Sequence, residues 1–288
     1  MEADVFKRFF KFISKSKLGM AGLIMFFSCI CLAVFAPVFS PYHPMEKHYD
    51  ANNRLMKLTP PSTKHLLGTT ILGKDVFSQI IWGARPALVI GISTALAVIF
   101  IGVNIGLISG YYGGWIDNLL MRITDIFMGV PFLPFIIVVL SLWGRSLLTI
   151  ILSMAIIMWR SMARVIRSQV LTLKERPFID AARITGASDF KIIYFEIAPN
   201  ILPVALVNVA FALAWAIITE ASIGFLGFGD PDILSWGTII YRAFASEMSY
   251  KAWWWVVPPG AAIMFLVTSV YFIGRAYEEM VNPRLKKW

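Results

Sequence analysis

Residues 175–203 read ERPFIDAARITGASDFKIIYFEIAPNILP. Charges recur there at helical spacing, with a glycine at 186 and prolines at 199 and 203, and uncharged runs flank the stretch. Pro177 suits the first turn of a helix, where its missing N–H has no partner to lose. Phe178, Ile179, Ala182 and Thr185 continue that helix for about two turns. Ala181 and Ala182 leave a low surface that a partner can approach closely, and Phe178 stands out as a knob. Gly186 supplies a left-handed corner. Ser188 caps the next helix, and Pro199 and Pro203 mark a bend back into the apolar run. The insert is therefore expected to be a short helix, a corner and a second helix on a membrane surface. Two roles fit: a plain amphipathic surface helix, or an element that docks in a cleft of a soluble partner.

The rest of the chain says why a membrane is involved. Of 288 residues, 58% are hydrophobic and 15% charged, against roughly a quarter charged in soluble domains. Charge-free runs occupy 18–39, 86–108, 126–144, 146–159, 197–219 and 252–274. About 20 apolar residues in a helix cross roughly 30 Å of hydrocarbon, and four of the runs reach that length. The 126–144 run is just long enough, and Ser161, Met162, Ala163, Val165 and Ile166 complete the short one at 146–159. The expected fold is an all-α integral membrane protein with six transmembrane helices. The first run is too long for a signal-peptide core and has no small-x-small cleavage site before Pro37, so it is expected to stay as an anchor.

The formal charge of +9 does not point to nucleic acid, because of where the cations lie. Lys7, Arg8, Lys11, Lys15 and Lys17 precede the first run. Arg160, Arg164, Arg167, Lys174, Arg176, Arg183 and Lys191 lie between the fourth and fifth. Arg275, Arg284, Lys286 and Lys287 follow the last. Six spans put these three regions on one side, and the positive-inside rule makes it cytoplasmic, with both termini. The expected division is a basic tail at 1–17, amphipathic through Phe6, Phe9, Phe10 and Ile13, a first span at 18–39 and an extracytoplasmic loop at 40–85. A core at 86–274 includes a cytoplasmic loop at 172–196 and an outer loop at 223–251, and a cytoplasmic tail at 275–288 closes the chain.

No constellation for catalysis or metal binding stands out. His43, His48 and His65 all lie in the outer loop, and the spacing of the first two matches no zinc helix. There is no P-loop, no G-x-S-x-G and no H-E-x-x-H. Cys29 and Cys31 face different directions on a helix, which disfavours a mutual disulfide. Gly110, Gly113 and Gly114 form a tight turn, Arg122 and Asp125 share a helix face and can pair, and Pro131 and Pro134 kink or break the next helix. Glu220 is expected to cap the outer end of its span.

Residues 180–186, DAARITG, resemble the EAA loop of binding-protein-dependent ABC importer permeases, with Asp180 for the glutamate, Ala181 and Ala182 for the alanines and Gly186 for the glycine. The close APNILP resembles the dipeptide and oligopeptide branch, although Glu196 stands where many members carry histidine. LLGTTILGKDVFSQIIWGARPAL, with Thr70, Lys74, Gln79 and Pro86 as departures, resembles the same branch, as do SGYYGGWIDNLLMRITDIFMGVP and ASIGFLGFGDPDILSWGTII. In motif order and length, residues 10–284 resemble the second permease subunit of such importers.

The resemblance implies a type I importer permease fold. It implies a homologous second permease subunit, two cytoplasmic ABC ATPase subunits and an extracytoplasmic substrate-binding protein as partners, with membrane lipid around the spans. No cofactor is expected on this chain; ATP and Mg belong to the ATPase subunits. Phe178, Asp180, Ala181, Ala182 and Gly186 would sit in an ATPase groove, and Gly224, Phe225, Gly227 and Trp236 would form an outer-gate loop. Peptides are the expected substrate; nickel chelates and oligosaccharides are the alternatives within the branch. A secondary transporter or channel is the alternative class, but such proteins place ionisable groups within their spans, and here the charges gather at the edges of the runs.

Overall fold

The computed structural model describes residues 16–248 and 250–281. The amphipathic stretch expected at 2–17 lies almost wholly outside them, as do Arg284, Lys286 and Lys287. In chain order the helices are α1 (Lys17–Val34), α2 (Ala36–Phe39), α3 (Val76–Tyr112), α4 (Gly114–Gly129), α5 (Phe132–Trp143), α6 (Leu147–Leu173), α7 (Pro177–Ile184), α8 (Asp189–Phe225), α9 (Trp236–Ala245) and α10 (Trp253–Val281). Among the described residues there is no strand, only the isolated bridges Tyr49–Leu55 and Thr69–Asp75. α1, α3, α6, α8 and α10 are each long and apolar enough to cross a membrane. α4 and α5 pass the same test only together and count as a sixth if the pair, bent by 88°, is one broken span, with Pro131 at the break and Pro134 inside α5.

α3 begins at Val76, ten residues before the apolar run in which the span was expected to start. Asp75 is the reason. Its carboxylate accepts from the backbone N–H and the hydroxyl of Ser78, both at 2.7 Å, which satisfies donors that a helix start leaves open. Pro86 then falls inside the helix, where it removes one ladder donor but does not end it.

α8 departs from expectation in the opposite sense, because a predicted bend is missing. Asp189–Lys191 run into a π-helical segment, Ile192–Ile197, and then into α-helix from Ala198. Proline is costly inside a helix because its ring crowds the preceding turn. The wide turn directly before Pro199 relieves that crowding, so the chain passes Pro199 and Pro203 as one helix.

Small residues bring the helices together. α3 packs most extensively on α6, and Gly102, Gly106 and Gly110 lie along that contact. A Cβ on any of them would come within 2.6 Å of Met162, Ile166 or Val170 respectively. This G-x-x-x-G-x-x-x-G stripe is how helices approach in lipid, where close van der Waals packing replaces the hydrophobic effect. Gly22 seats α1 against α10, where a Cβ would come within 2.8 Å of Phe272, and Gly274 seats α10 against α8, where a Cβ would come within 2.9 Å of Ala210.

Ion pairs lie mainly at the polar end of this bundle. Arg167 binds both oxygens of Asp117, at 2.6 and 2.5 Å, which joins α6 to the start of α4. Asp125 pairs with Arg164 across to α6, not with Arg122 on its own helix, because a tertiary neighbour outcompeted the i, i+3 partner. Gly113 and Gly114 turn the chain at φ +66° and +54°, while Gly110 belongs to the packing stripe. Cys29 is buried and Cys31 exposed, and both are free.

Candidate functional site

The corner at 177–188 is built from both faces of α7. Ile179 is fully buried and Ala182 half-buried, in a cluster with Ile166, Val170, Ile192, Ile193 and Ile197. The opposite face leaves Phe178, Asp180, Ala181 and Ile184 exposed, the last at 86%. The two alanines therefore differ: Ala181 faces outward, whereas Ala182 faces the bundle. Gly186 has φ +79°, and a Cβ on it would meet nothing within 4 Å. Its N–H donates to the Arg183 carbonyl at 2.9 Å, and the Ala187 N–H to the Ala182 carbonyl at 3.0 Å. That pair is the Schellman closure, which needs a left-handed residue at this position.

Polar contacts pin the corner to α3. The Tyr111 hydroxyl donates to Asp189 at 2.7 Å, and the Arg183 guanidinium lies 5.8 Å from the Tyr111 ring centre. One turn further along α8, the Tyr194 hydroxyl donates to Asn104 at 2.7 Å. Asp180 and Arg183 also approach to 3.5 Å, but both are exposed, and such pairs contribute little. Phe190 and Phe195, 64% and 66% exposed, extend the apolar surface along the first turns of α8.

At the other end of α8 stand the four residues expected at an outer gate, Gly224, Phe225, Gly227 and Trp236. Gly224 lets α9 lie against α8; a Cβ there would come within 3.0 Å of the Thr238 nitrogen. Trp236 is buried and donates its indole N–H to the Ile80 carbonyl at 2.8 Å, with its ring over Gly83. It anchors α9 to α3. Gly227 turns the chain at φ +83°, and Phe225 is exposed, edge-on to Phe244 at 5.4 Å. The loop is also tied to α6, since Asp230 accepts from the Leu147 N–H at 2.9 Å and Arg145 donates to the Gly227 carbonyl at 2.7 Å. Glu220 is 4% exposed beside Ser235; it is covered, and does not cap an edge.

Between these ends lies a 520 Å³ cleft, lined by Val98, Phe132, Met158, Arg160, Asn208 and Trp215 among others. Arg160 is the unexpected member. Counted above with the polar segment after the fourth run, it stands at the midpoint of α6 and donates to the Phe127 carbonyl at 2.6 Å, next to the α4–α5 break. A cation at such depth is costly and characteristically faces a protein interior or a cavity. A signal existed: extending the 146–159 run to Ile166 to complete a span encloses Arg160.

The bent pair of helices, the long spans and the projecting corner form the architecture of a type I ABC importer permease. A solved structure titled as inward-facing conformations of the MetNI methionine ABC transporter matches with a TM-score of 0.55, over 71% of this chain and 95% of that one, at 21% identity. Residues 102–287 match the family described as binding-protein-dependent transport system inner membrane component, and residues 3–61 match the N-terminal TM domain of oligopeptide transport permease C. The dipeptide transport system permease protein DppC of Alkalihalophilus pseudofirmus is 34% identical, covering 96% of this chain and 89% of that protein. The oligopeptide transport system permease protein OppC of Bacillus subtilis is 36% identical over 94% and 87%. The chain belongs to the family of binding-protein-dependent transport system inner membrane components, and it is a multi-pass permease subunit of the cell membrane.

Proposed function

We propose that this subunit forms half of a translocation path for di- or oligopeptides and couples it to ATP hydrolysis in partner chains. The observation that carries the coupling is α8. One helix of 37 residues, about 55 Å at 1.5 Å per residue, joins the α7 corner to the loop that holds α9. In this reading α7 faces the cytoplasm, and Phe178, Ala181 and Ile184 enter a groove of an ATPase subunit. Closure of two ATPase subunits on ATP moves the corners, and α8 carries the displacement past the cleft to α9. A homologous second permease covers the open side of the cleft. Residues 40–75 and α9 lie outside, toward a substrate-binding protein. The chain supplies no catalytic residue in this cycle.

The names of the relatives support peptides as the cargo. The test is uptake of a labelled tripeptide into proteoliposomes holding the complete transporter, with the binding protein outside and ATP enclosed. Uptake that needs both supports the reading. Uptake driven by an ion gradient without ATP would return the chain to the secondary-transporter class.

A further inference from the structure

A second pocket, of 280 Å³, opens at the α9 end of the bundle. Loop residues Thr70 and Lys74, Gln79 of α3, Arg242 of α9 and Trp255 of α10 line it, and it shares no lining residue with the cleft. Its charge is uncompensated. The Lys74 ammonium reaches only the Met45 sulfur, at 3.1 Å, and burial, then Arg242 and Lys47, hold its pKa below the ordinary lysine value. Among the described residues no carboxylate comes within ion-pair distance of Lys74 or Arg242. Asp75, the nearest acid in sequence, is committed to His65 at 2.9 Å and to Ser78.

The same pocket holds an unused donor. Trp255 is 3% exposed, and its indole N–H has no acceptor, although buried N–H groups are nearly always paired. Gln79 has given its own amide N–H to the Pro44 carbonyl at 3.1 Å. Two cations without a counter-charge around a small cavity are the complement of a carboxylate, the acceptor that takes charge-assisted hydrogen bonds from both.

We propose that this pocket receives an acidic side chain of the extracytoplasmic binding protein, with Lys74 and Arg242 as its anchor. The inference rests on the permease reading above, which places residues 40–75 and α9 outside. A peptide cargo also carries a carboxylate, but its cleft shares no lining residue with this pocket. Loop residues Thr70, Ile71, Leu72 and Lys74 form one wall of the pocket.

The experiment uses the complete transporter in nanodiscs and measures the affinity of its peptide-loaded binding protein at low and high salt. The double variant Lys74→Gln with Arg242→Gln is expected to lose about tenfold in affinity at low salt and much of the salt dependence. Lys74→Arg with Arg242→Lys should retain most of both. Arg242→Glu should be rescued by one acid-to-arginine change in the binding protein. Wild-type affinity in the double glutamine variant overturns the inference. So does loss of co-purifying second permease in that variant alone, which makes the pocket a subunit interface. Affinity that follows anionic lipid content in wild type, and not in the variant, assigns the pocket to a headgroup and also overturns it. A wild-type transporter that binds no binding protein overturns the permease reading as well, so the two failures are distinguishable.

Discussion

Replacing Gly186 by asparagine, alanine and valine separates backbone conformation from contact at the corner. A Cβ there meets no atom within 4 Å, so the whole penalty comes from φ +79°. Left-handed backbone costs an L-residue about 1–2 kcal/mol; asparagine tolerates it best and a β-branched residue worst. At about 1.4 kcal/mol per tenfold, the corner with its two Schellman bonds loses at most a factor of about 5 to 30 in occupancy. A partner that binds only the formed corner loses affinity by no more than the same factor. The expected order of ATPase-subunit affinity is glycine, asparagine, alanine, valine. Titration of ATPase subunits onto nanodisc-embedded permease pairs measures it, and thermal melting of the pairs checks that the spans are intact. Valine docking as tightly as glycine, or asparagine and valine impairing docking equally, would refute the conformational argument.

Gly106→Leu drives a side chain into Ile166 and the Ala163 carbonyl, where a Cβ alone already sits within 2.7 Å; overpacking of about 1–3 kcal/mol should lower the melting temperature of the purified subunit pair. Ile184→Asp, at an 86% exposed position, should leave melting unchanged and weaken ATPase docking, whereas Ala182→Trp should lower the melting temperature first, because Ala182 faces the core cluster. His48 is held below the ordinary histidine pKa by burial and then by His65, so the closed loop favours the neutral ring. The loop stability it contributes is present above about pH 6.5 and is lost as pH falls below that toward the lowered pKa of the folded loop; hydrogen exchange across 40–75 should quicken at acid pH, and His48→Phe should blunt the change.

What was legible in the sequence followed from constraints that act locally. Lipid demands about 20 apolar residues per helical span, so the six runs announce the bundle. Proline and glycine punctuate the backbone wherever they stand, so Pro177 and Gly186 mark the ends of α7. Choices settled by distant partners were not legible in this way. Arg122 lies three residues from Asp125, but the aspartate chose Arg164, which only the packing of α6 on α4 brings near. Asp75 starts α3 early because a folded loop holds it against His65 and Ser78. The seat of Trp236 was not legible either: Gly83, some 150 residues earlier, receives its ring, and Ile80 accepts its indole N–H. Gly110 was assigned to a turn, but with Gly102 and Gly106 it marks a close contact between α3 and α6.

That glycine contact bears on what a push at α7 can do. Interiors packed this closely transmit displacement and do not absorb it, so α3 and α6 move as one body along Gly102, Gly106 and Gly110. The corner cannot move alone. Ile179 is buried in the cluster that holds Ile166 and Val170 of α6, and Tyr111 ties Asp189 to the end of α3. On the proposed coupling the joints lie elsewhere, at the 88° break between α4 and α5 and in the irregular turn around Gly227. Arg160 spans from the rigid body to the first of these joints, from the middle of α6 to the Phe127 carbonyl. Arg145 and Asp230 tie α6 and the segment before it to the second. In the proposed cycle, rotation of the α3–α6–α8 block about those two joints would reshape the cleft that lies between them. On this argument the bond from Arg160 to Phe127 differs in length between the two end states. Arg160→Leu should alter the ratio of inward- to outward-open transporter, read by spin-label distances across the cleft, more than it alters melting; an unchanged ratio would mean that the α4–α5 break is not a joint.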